Sequence, residues 1–311
     1  MTKTPILIIG YNRPEITSET LKMIARSSPL KVYFAIDGPK NEEDRYLVSR
    51  VSDIFHEGIK GASCVYYENE TNLGPEITIT NAITEVFKTE EQLIILEDDV
   101  LAPYSFLSFA EQMLIRYADD ERVSMITGSN LAESSSLDGP DYFFAYLGNT
   151  LSGWATWKRA WEDFSLYEDF RISRSELKQR FRFKKMQSFF YANYHAFSLL
   201  PKGINTWDCC WQFGRIKRNK LSIVPRVNLT TNIGVIGTHF TEKSHIHNIP
   251  FDESFHVSPI KPEVTVNEAW DLAIYQHYLS SSFPGKILSW INLKIKVLRL
   301  LYDHWRHIQC T

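Results

Sequence analysis

Apolar and polar positions along the first hundred residues alternate in blocks. Ile6-Leu7-Ile8-Ile9, Val32-Tyr33-Phe34-Ala35-Ile36, Cys64-Val65-Tyr66-Tyr67 and Leu93-Ile94-Ile95-Leu96 are short apolar runs. Runs of this length, rich in β-branched and aromatic residues and bounded by turn residues, predict buried strands. Amphipathic stretches separate them. Asn12-Arg13-Pro14-Glu15 turns into a helix to about Arg26, a charged helix covers roughly 41–57, and Asn72-Leu73-Gly74-Pro75 opens a helix to about Phe87. Repeated strand-then-helix units predict an α/β domain, with a mostly parallel central sheet, right-handed crossovers and flanking helices. Beyond them the pattern predicts a helix near 103–118, a strand at 123–126 and an aromatic strand at 142–147.

The fourth apolar run ends in three consecutive acids, Glu97-Asp98-Asp99. Carboxylates crowded onto a buried strand end repel one another and lose solvation unless a cation joins them. Mn²⁺ or Mg²⁺, which take carboxylate and phosphate oxygen, is the simplest such cation; a solvated acidic turn capping the next helix is the alternative. Asn12 and Arg13 follow the first strand, Asp37 the second, Asn72 and Gly74 the third. All would line the carboxyl edge of the sheet, where open α/β sheets bind ligands. An Arg there can grip a diphosphate through paired hydrogen bonds, and an Asp can accept from a nucleobase N–H or a ribose hydroxyl. Each is also an ordinary turn or helix-cap residue. Neither Gly-x-Gly-x-x-Gly nor Gly-x-x-x-x-Gly-Lys-[Ser/Thr] occurs in these turns, which argues against a dinucleotide enzyme or a P-loop kinase.

Trp207 and Trp211 flank Asp208-Cys209-Cys210 at i, i+4 spacing. This is either a core stripe with Asp208 at the helix surface, or a site in which Asp208 serves as general base. His239 is either a metal or diphosphate contact or a loop histidine.

Composition narrows the classes. A net charge of -3 gives no broad electrostatic case for nucleic acid. The cysteines Cys64, Cys209, Cys210 and Cys310 form no Cys-x-x-Cys pair, which suits a reducing compartment. No apolar stretch reaches the roughly 20 residues of a membrane span, and the opening residues lack a signal-peptide layout. The expected location is cytoplasmic, with peripheral contact at the inner face of the membrane. Two basic stretches bear on partners. Residues 171–185 carry seven Lys/Arg and one Glu, which suits a solvated helix face first, and otherwise an anionic acceptor or a membrane surface. Residues 286–306 carry five Lys/Arg among Ile, Leu, Val and Trp, a composition that suits an interfacial amphipathic helix or a packed terminal helix. Pro250, Pro259 and Pro262 mark a linker, so the expected division is a catalytic domain over 1–250 and a linker with helical extension over 251–311.

In order and spacing these residues resemble a GT-A-fold (Rossmann-like) glycosyltransferase, more narrowly the inverting N-acetylglucosaminyltransferase I type and its bacterial relatives. Glu97-Asp98-Asp99 is similar to that group's variant of the Asp-x-Asp motif, which implies Asp99 as the metal ligand and Asp98 beside the donor. Asn12-Arg13 and Asp37-Gly38 are similar to its turns after strands one and two. Gly153-Trp154, after the aromatic strand, is similar to its turn at the donor sugar. Trp207-Asp208-Cys209-Cys210-Trp211 falls on its Trp-Asp-Asp-Trp, with Cys209 in place of the second Asp, and implies Asp208 as catalytic base. Asn232-Ile233-Gly234 through Gly237-Thr238-His239-Phe240 is similar to its active-site loop. The resemblance covers about residues 5–242. It implies metal-dependent, inverting transfer of a sugar from a nucleotide-sugar, UDP-linked in preference, to a hydroxyl of a glycan or glycolipid. A nucleotidyltransferase of similar fold and a non-catalytic glycan-binding or scaffold protein are the alternatives.

Overall fold

The computed structural model describes residues 1–132, 139–198, 207–234 and 248–276, with the backbone alone at 196–198. From the N-terminus the elements are β1 (Ile6–Gly10), α1 (Pro14–Ala25), β2 (Lys31–Ile36), α2 (Glu42–Glu57), β3 (Ser63–Glu68), α3 (Pro75–Val86), β4 (Gln92–Glu97), β5 (Val100–Leu101) and α4 (Tyr104–Arg116). There follow β6 (Val123–Thr127), β7 (Tyr142–Ala145), β8 (Trp154–Trp157), α5 (Lys158–Trp161), α6 (Arg174–Arg180), α7 (Lys184–Ser198), α8 (Trp207–Lys217), β9 (Leu221–Pro225), β10 (Thr231–Asn232) and α9 (Glu268–Ile274). Contacts group residues 1–168 with 206–267 in one unit, and 169–205 with 268–311 in another.

The first unit carries an eight-stranded sheet in the order β3-β2-β1-β4-β8-β6-β9-β7, and a two-stranded ribbon of β5 and β10. β1, β2, β3 and β4 are mutually parallel, with Ile9 beside Ala35 on one flank and Glu97 on the other. β8 runs antiparallel between β4 and β6, and β7 runs antiparallel to β9 at the edge. The sheet is therefore mostly co-directional, as the pattern predicts, with two reversed strands. β8 is not foreseen by the pattern. Its four residues are too few to show a period, and α5 follows at once.

The apolar runs form the strands because they can be buried on both faces. Every residue of β1 is buried, and Leu93, Ile94, Ile95 and Leu96 of β4 are at most 1% exposed. Burying each such side chain contributes about 1.5–3 kcal/mol. Pro14 and Pro75 open α1 and α3, where a proline lacks nothing the helix needs. α1 then turns Thr17, Thr20, Leu21 and Ile24 inward at three-to-four-residue spacing. Leu7, Tyr33, Ile83, Leu93, Ile95, Trp154, Trp161, Trp207 and Trp211 share one core cluster. The proline-bearing segment after 248, expected as the start of a linker, is irregular and is fastened to this unit. Asp252 N–H donates to Asn228 O at 2.9 Å, Ser258 N–H to Asp141 Oδ2 at 2.7 Å, and Asn267 N–H to Phe144 O at 2.7 Å.

The second unit contains α6, α7 and α9. α6 opens with a capping box, in which Glu176 N–H donates to Ser173 Oγ at 3.1 Å and Ser173 N–H donates to Glu176 Oε2 at 2.8 Å. Phe181 stacks on Phe190 at 4.6 Å, and Phe189 meets Tyr275 edge-on at 5.5 Å. Among the described residues, no helix is long and apolar enough to cross a membrane. The basic stretch 286–306 and residues 235–247, with His239, lie outside the described residues.

Candidate functional site

The strand order brings the β1–α1 turn beside the end of β4. Arg13, the cap residue of α1, reaches the acids there. Its Nη2 contacts Asp98 Oδ1, and its Nη1 donates to Asp99 Oδ2 at 2.8 Å. Asp98 and Asp99 are 1% and 5% exposed. Tyr11 N–H and the Thr17 hydroxyl, each at 3.4 Å, add to Asp98 Oδ2, and the Thr20 hydroxyl donates to Asp98 O at 2.7 Å. On the other side, the β5–β10 ribbon brings Asn232 to Asp99. Asn232 Nδ2 donates to Asp99 Oδ1 at 3.0 Å, and Ile233 N–H donates to Asp99 O at 2.8 Å.

Arg13 supplies, from within the chain, a cation of the kind the acid run demands. Burial works against its charge, but the two carboxylates outweigh that and hold its pKa above the usual value. The compensation is incomplete. Burial, with Asp99 and Asp98 close by, pushes the partly buried Glu97 carboxyl up to about 8. Burial also lifts Asp98 to about 6, against the pull of Arg13. Asp208 is close enough to add to the repulsion on Glu97, so the helix-borne acid and the strand-end acids share one electrostatic neighbourhood. Among the described residues no group of three or more His, Cys, Asp and Glu side chains forms a metal cage. The donor set nonetheless suits a hard divalent cation that takes one or two carboxylates and completes its shell with phosphate and water oxygens. Such an ion would relieve the repulsion that raises these pKa values.

Gly234 shapes the rim of this cluster. A Cβ at that position would lie 2.1 Å from Asp99 Oδ2 and 2.8 Å from Arg13 Nη1, so only glycine lets the chain cross there. Its N–H donates to Asn232 Oδ1 at 2.8 Å, which turns the Asn232 amide nitrogen toward Asp99.

Asp37 builds a second structure along the same sheet edge. It is 5% exposed. Its Oδ1 accepts from Gly38 N–H at 2.9 Å, Asn69 Nδ2 at 3.2 Å and Leu73 N–H at 2.9 Å. Its Oδ2 accepts from Asn72 Nδ2 at 2.8 Å and Gly74 N–H at 2.9 Å. The carboxylate thus ties down the β3–α3 turn. Gly74, which caps α3, sits at φ 83, a left-handed backbone that glycine adopts without steric cost. Asn12 is also engaged: its Nδ2 donates to Asp44 Oδ1 at 2.8 Å, while the Tyr11 hydroxyl donates to Asp44 Oδ2 at 2.7 Å. Asp44 was not singled out in the sequence, because an acid in the first turn of a charged helix carries no signal of its own.

On α8, Trp207 and Trp211 face the core. Trp154 stacks on Trp207 at 5.8 Å and meets Trp211 at 5.7 Å. The i, i+4 stripe is realised, and Asp208 stands beside it, partly exposed, in the first turn. Trp154 is 1% exposed, so its indole belongs to the core beneath the edge. Gly153 precedes it over Leu96 and Val100. The structure therefore assembles Arg13, Asp98, Asp99 and Asn232 directly, with Asp208 near Glu97. Asp37, Asn72 and Gly74 form a separate turn network.

No family model matches the chain, and no curated protein matches it. Solved structures do. A mannosyltransferase from Pyrobaculum calidifontis, in complex with GDP-Man and Mn²⁺, aligns at 15% identity and a TM-score of 0.35 over 57% of this chain. The chain spans about half of that protein, 52% of its length. TarS 1-349 from S. aureus aligns at 11% identity and a TM-score of 0.37, covering 62% of this chain and 55% of that one. A nucleotide-diphospho-sugar transferase from Desulfovibrio desulfuricans G20, described as putative, aligns at 10% identity and a TM-score of 0.37, covering 72% and 80%. At such TM-scores the functional assignment rests on the site itself.

Proposed function

We propose that the chain is a metal-dependent glycosyltransferase of the GT-A type, moving a sugar from a nucleotide-sugar to a hydroxyl of a glycan or glycolipid. The observation that carries this reading is the buried carboxylate cluster at the end of β4, under-compensated by Arg13 and sharing its field with Asp208. Glycosyl transfer needs a stabilised diphosphate leaving group on one side of the anomeric carbon and a base on the other. Asp99, with Asp98 beside it, would hold Mn²⁺ or Mg²⁺, whose charge neutralises the departing diphosphate. Arg13, whose side chain is 25% exposed, would share its guanidinium with the diphosphate. Asp208 takes the proton of the acceptor hydroxyl. One base and no second carboxylate assigned as nucleophile favours inversion.

Asp37 serves in this reading as a positioning residue. It holds the turn that presents Asn72 and Gly74 to the nucleoside half of the donor, with UDP favoured. Asn12 and Asp44 brace the β1–α1 turn, and the buried Gly153 and Trp154 support the sheet edge from the core instead of touching the sugar. In this reading the GT-A domain proposed over 1–250 takes in the fastened segment to 267, the extension follows it, and His239 is proposed as a metal or diphosphate contact. A thermal-shift screen of UDP, GDP and CDP, with and without Mn²⁺, tests the proposal. A ligand at 100 times its Kd stabilises the fold by about 2.7 kcal/mol. The reading expects a shift that needs nucleotide and Mn²⁺ together. No shift with any nucleotide would reject it.

A further inference from the structure

The net charge of -3 conceals a division by unit. Residues 169–205 and 268–311 carry 13 Lys/Arg against 5 Asp/Glu, a formal +8. The remaining residues carry 21 against 32, a formal -11. An anionic surface therefore attracts one unit and repels the other.

Among the described residues of the basic unit, the charge is presented on and beside α6 and α7. Arg174, Lys178, Lys184 and Lys185 are exposed, and among the described residues none of the four has a carboxylate within ion-pair distance. Arg171 and Arg182 differ, since Asp169 at 2.7 Å and Glu268 at 3.8 Å partner them. Lys184 and Lys185 open α7, whose first turn holds no acid. Cations at a helix N-terminus oppose the helix dipole, so helix stability does not explain them. Aromatic rings accompany the charge. Arg174 lies over the Tyr191 ring at 3.9 Å, and Tyr191 meets the His195 ring at 4.3 Å. Phe183, Phe189 and Tyr191, on the same stretch of chain, are each partly exposed.

We propose that this α6–α7 surface docks the protein on an anionic lipid bilayer. Cations alone would suit any polyanion; cations interleaved with partly exposed aromatic rings suit the boundary between headgroups and acyl chains. The sequence of the same unit continues the composition through Ile287, Leu288, Trp290, Lys294, Lys296 and Arg299. The proposal is independent of the reaction assigned to the other unit.

Co-sedimentation of the full chain tests it. Vesicles of phosphatidylcholine are compared with vesicles of phosphatidylcholine and phosphatidylglycerol, at about 0.05 M and about 0.5 M salt, where screening differs severalfold. Binding is expected to the anionic vesicles alone, and to vanish at the higher salt. The combined substitution Lys178→Glu, Lys184→Glu, Lys185→Glu leaves the Arg174–Tyr191 contact in place. It is expected to weaken binding by more than tenfold, since each cation near an anionic surface is worth about fivefold. The corresponding triple Lys→Gln protein, with a melting curve for each variant, separates lost charge from lost fold. Absence of vesicle binding at low salt, undiminished binding of a folded charge-reversed variant, or binding to soluble polyphosphate but not to vesicles would each overturn the proposal.

Discussion

Arg13 holds two buried carboxylates at once, so its removal leaves both without a counter-charge. Breaking a buried ion pair from one side costs about 3–5 kcal/mol. Because the Arg13 side chain is 25% exposed, the lower end applies, and Arg13→Gln should lose about 3 kcal/mol in urea denaturation. Added Mn²⁺ should return part of that loss if the cluster accepts a cation; an unchanged midpoint would detach the cluster from metal binding. Asp37→Ala strips five donors of their acceptor. A loss of about 2–4 kcal/mol is expected, less than five separate penalties because the loosened turn can reach water. Limited proteolysis at 69–74 should accelerate with it, and a melting curve like that of the wild type would contradict this account of Asp37. The sequence made the residues of this edge legible but not their partners. Arg13 reads as a diphosphate ligand and the acids as a metal site. That they meet each other follows from the order β2-β1-β4, which no local pattern encodes. Asp37 likewise reads as a ligand contact, because four of the five donors that fill it come from a turn over thirty residues away.

At the scale of elements, long apolar runs and proline-led helices were legible because each is set by its own composition. β1, β2, β4, α1 and α3 fall close to where the pattern puts them. β8 was not, since its Trp154-Ala155-Thr156-Trp157 becomes a strand only by pairing with β4 and β6. The short β5–β10 ribbon is equally non-local, and it delivers Asn232 to Asp99. α8 illustrates how an element serves two purposes. Trp207, Cys210 and Trp211 anchor it in the core, which fixes the first turn that carries Asp208. Asp208→Asn preserves that anchoring and should lower kcat by about 10²–10⁴ with donor affinity nearly unchanged. A matching loss of nucleotide affinity, measured by calorimetry, would place Asp208 in the donor pocket instead.

For the whole molecule, the α/β class, the largely co-directional sheet and the two basic stretches were legible, whereas the grouping of those stretches in one unit was not. A chain-wide sum near zero averages an acidic unit with a basic one, and the units interleave along the sequence. In the acidic unit, the strand-end cluster is proposed to hold a divalent cation and a nucleoside diphosphate. Asp99→Asn addresses it. With Arg13 on one carboxylate oxygen and Asn232 on the other, the new amide nitrogen must face a donor. Some stability is therefore lost, about 1–3 kcal/mol, and the variant must first be shown to melt cooperatively. Calorimetric titration of UDP into the wild-type and Asp99→Asn proteins, each with and without Mn²⁺, is the most direct measurement. Mn²⁺-dependent binding is expected for the wild type, with a loss of more than tenfold in the folded variant. Binding that ignores Mn²⁺, or that survives the substitution unchanged, would contradict the proposal.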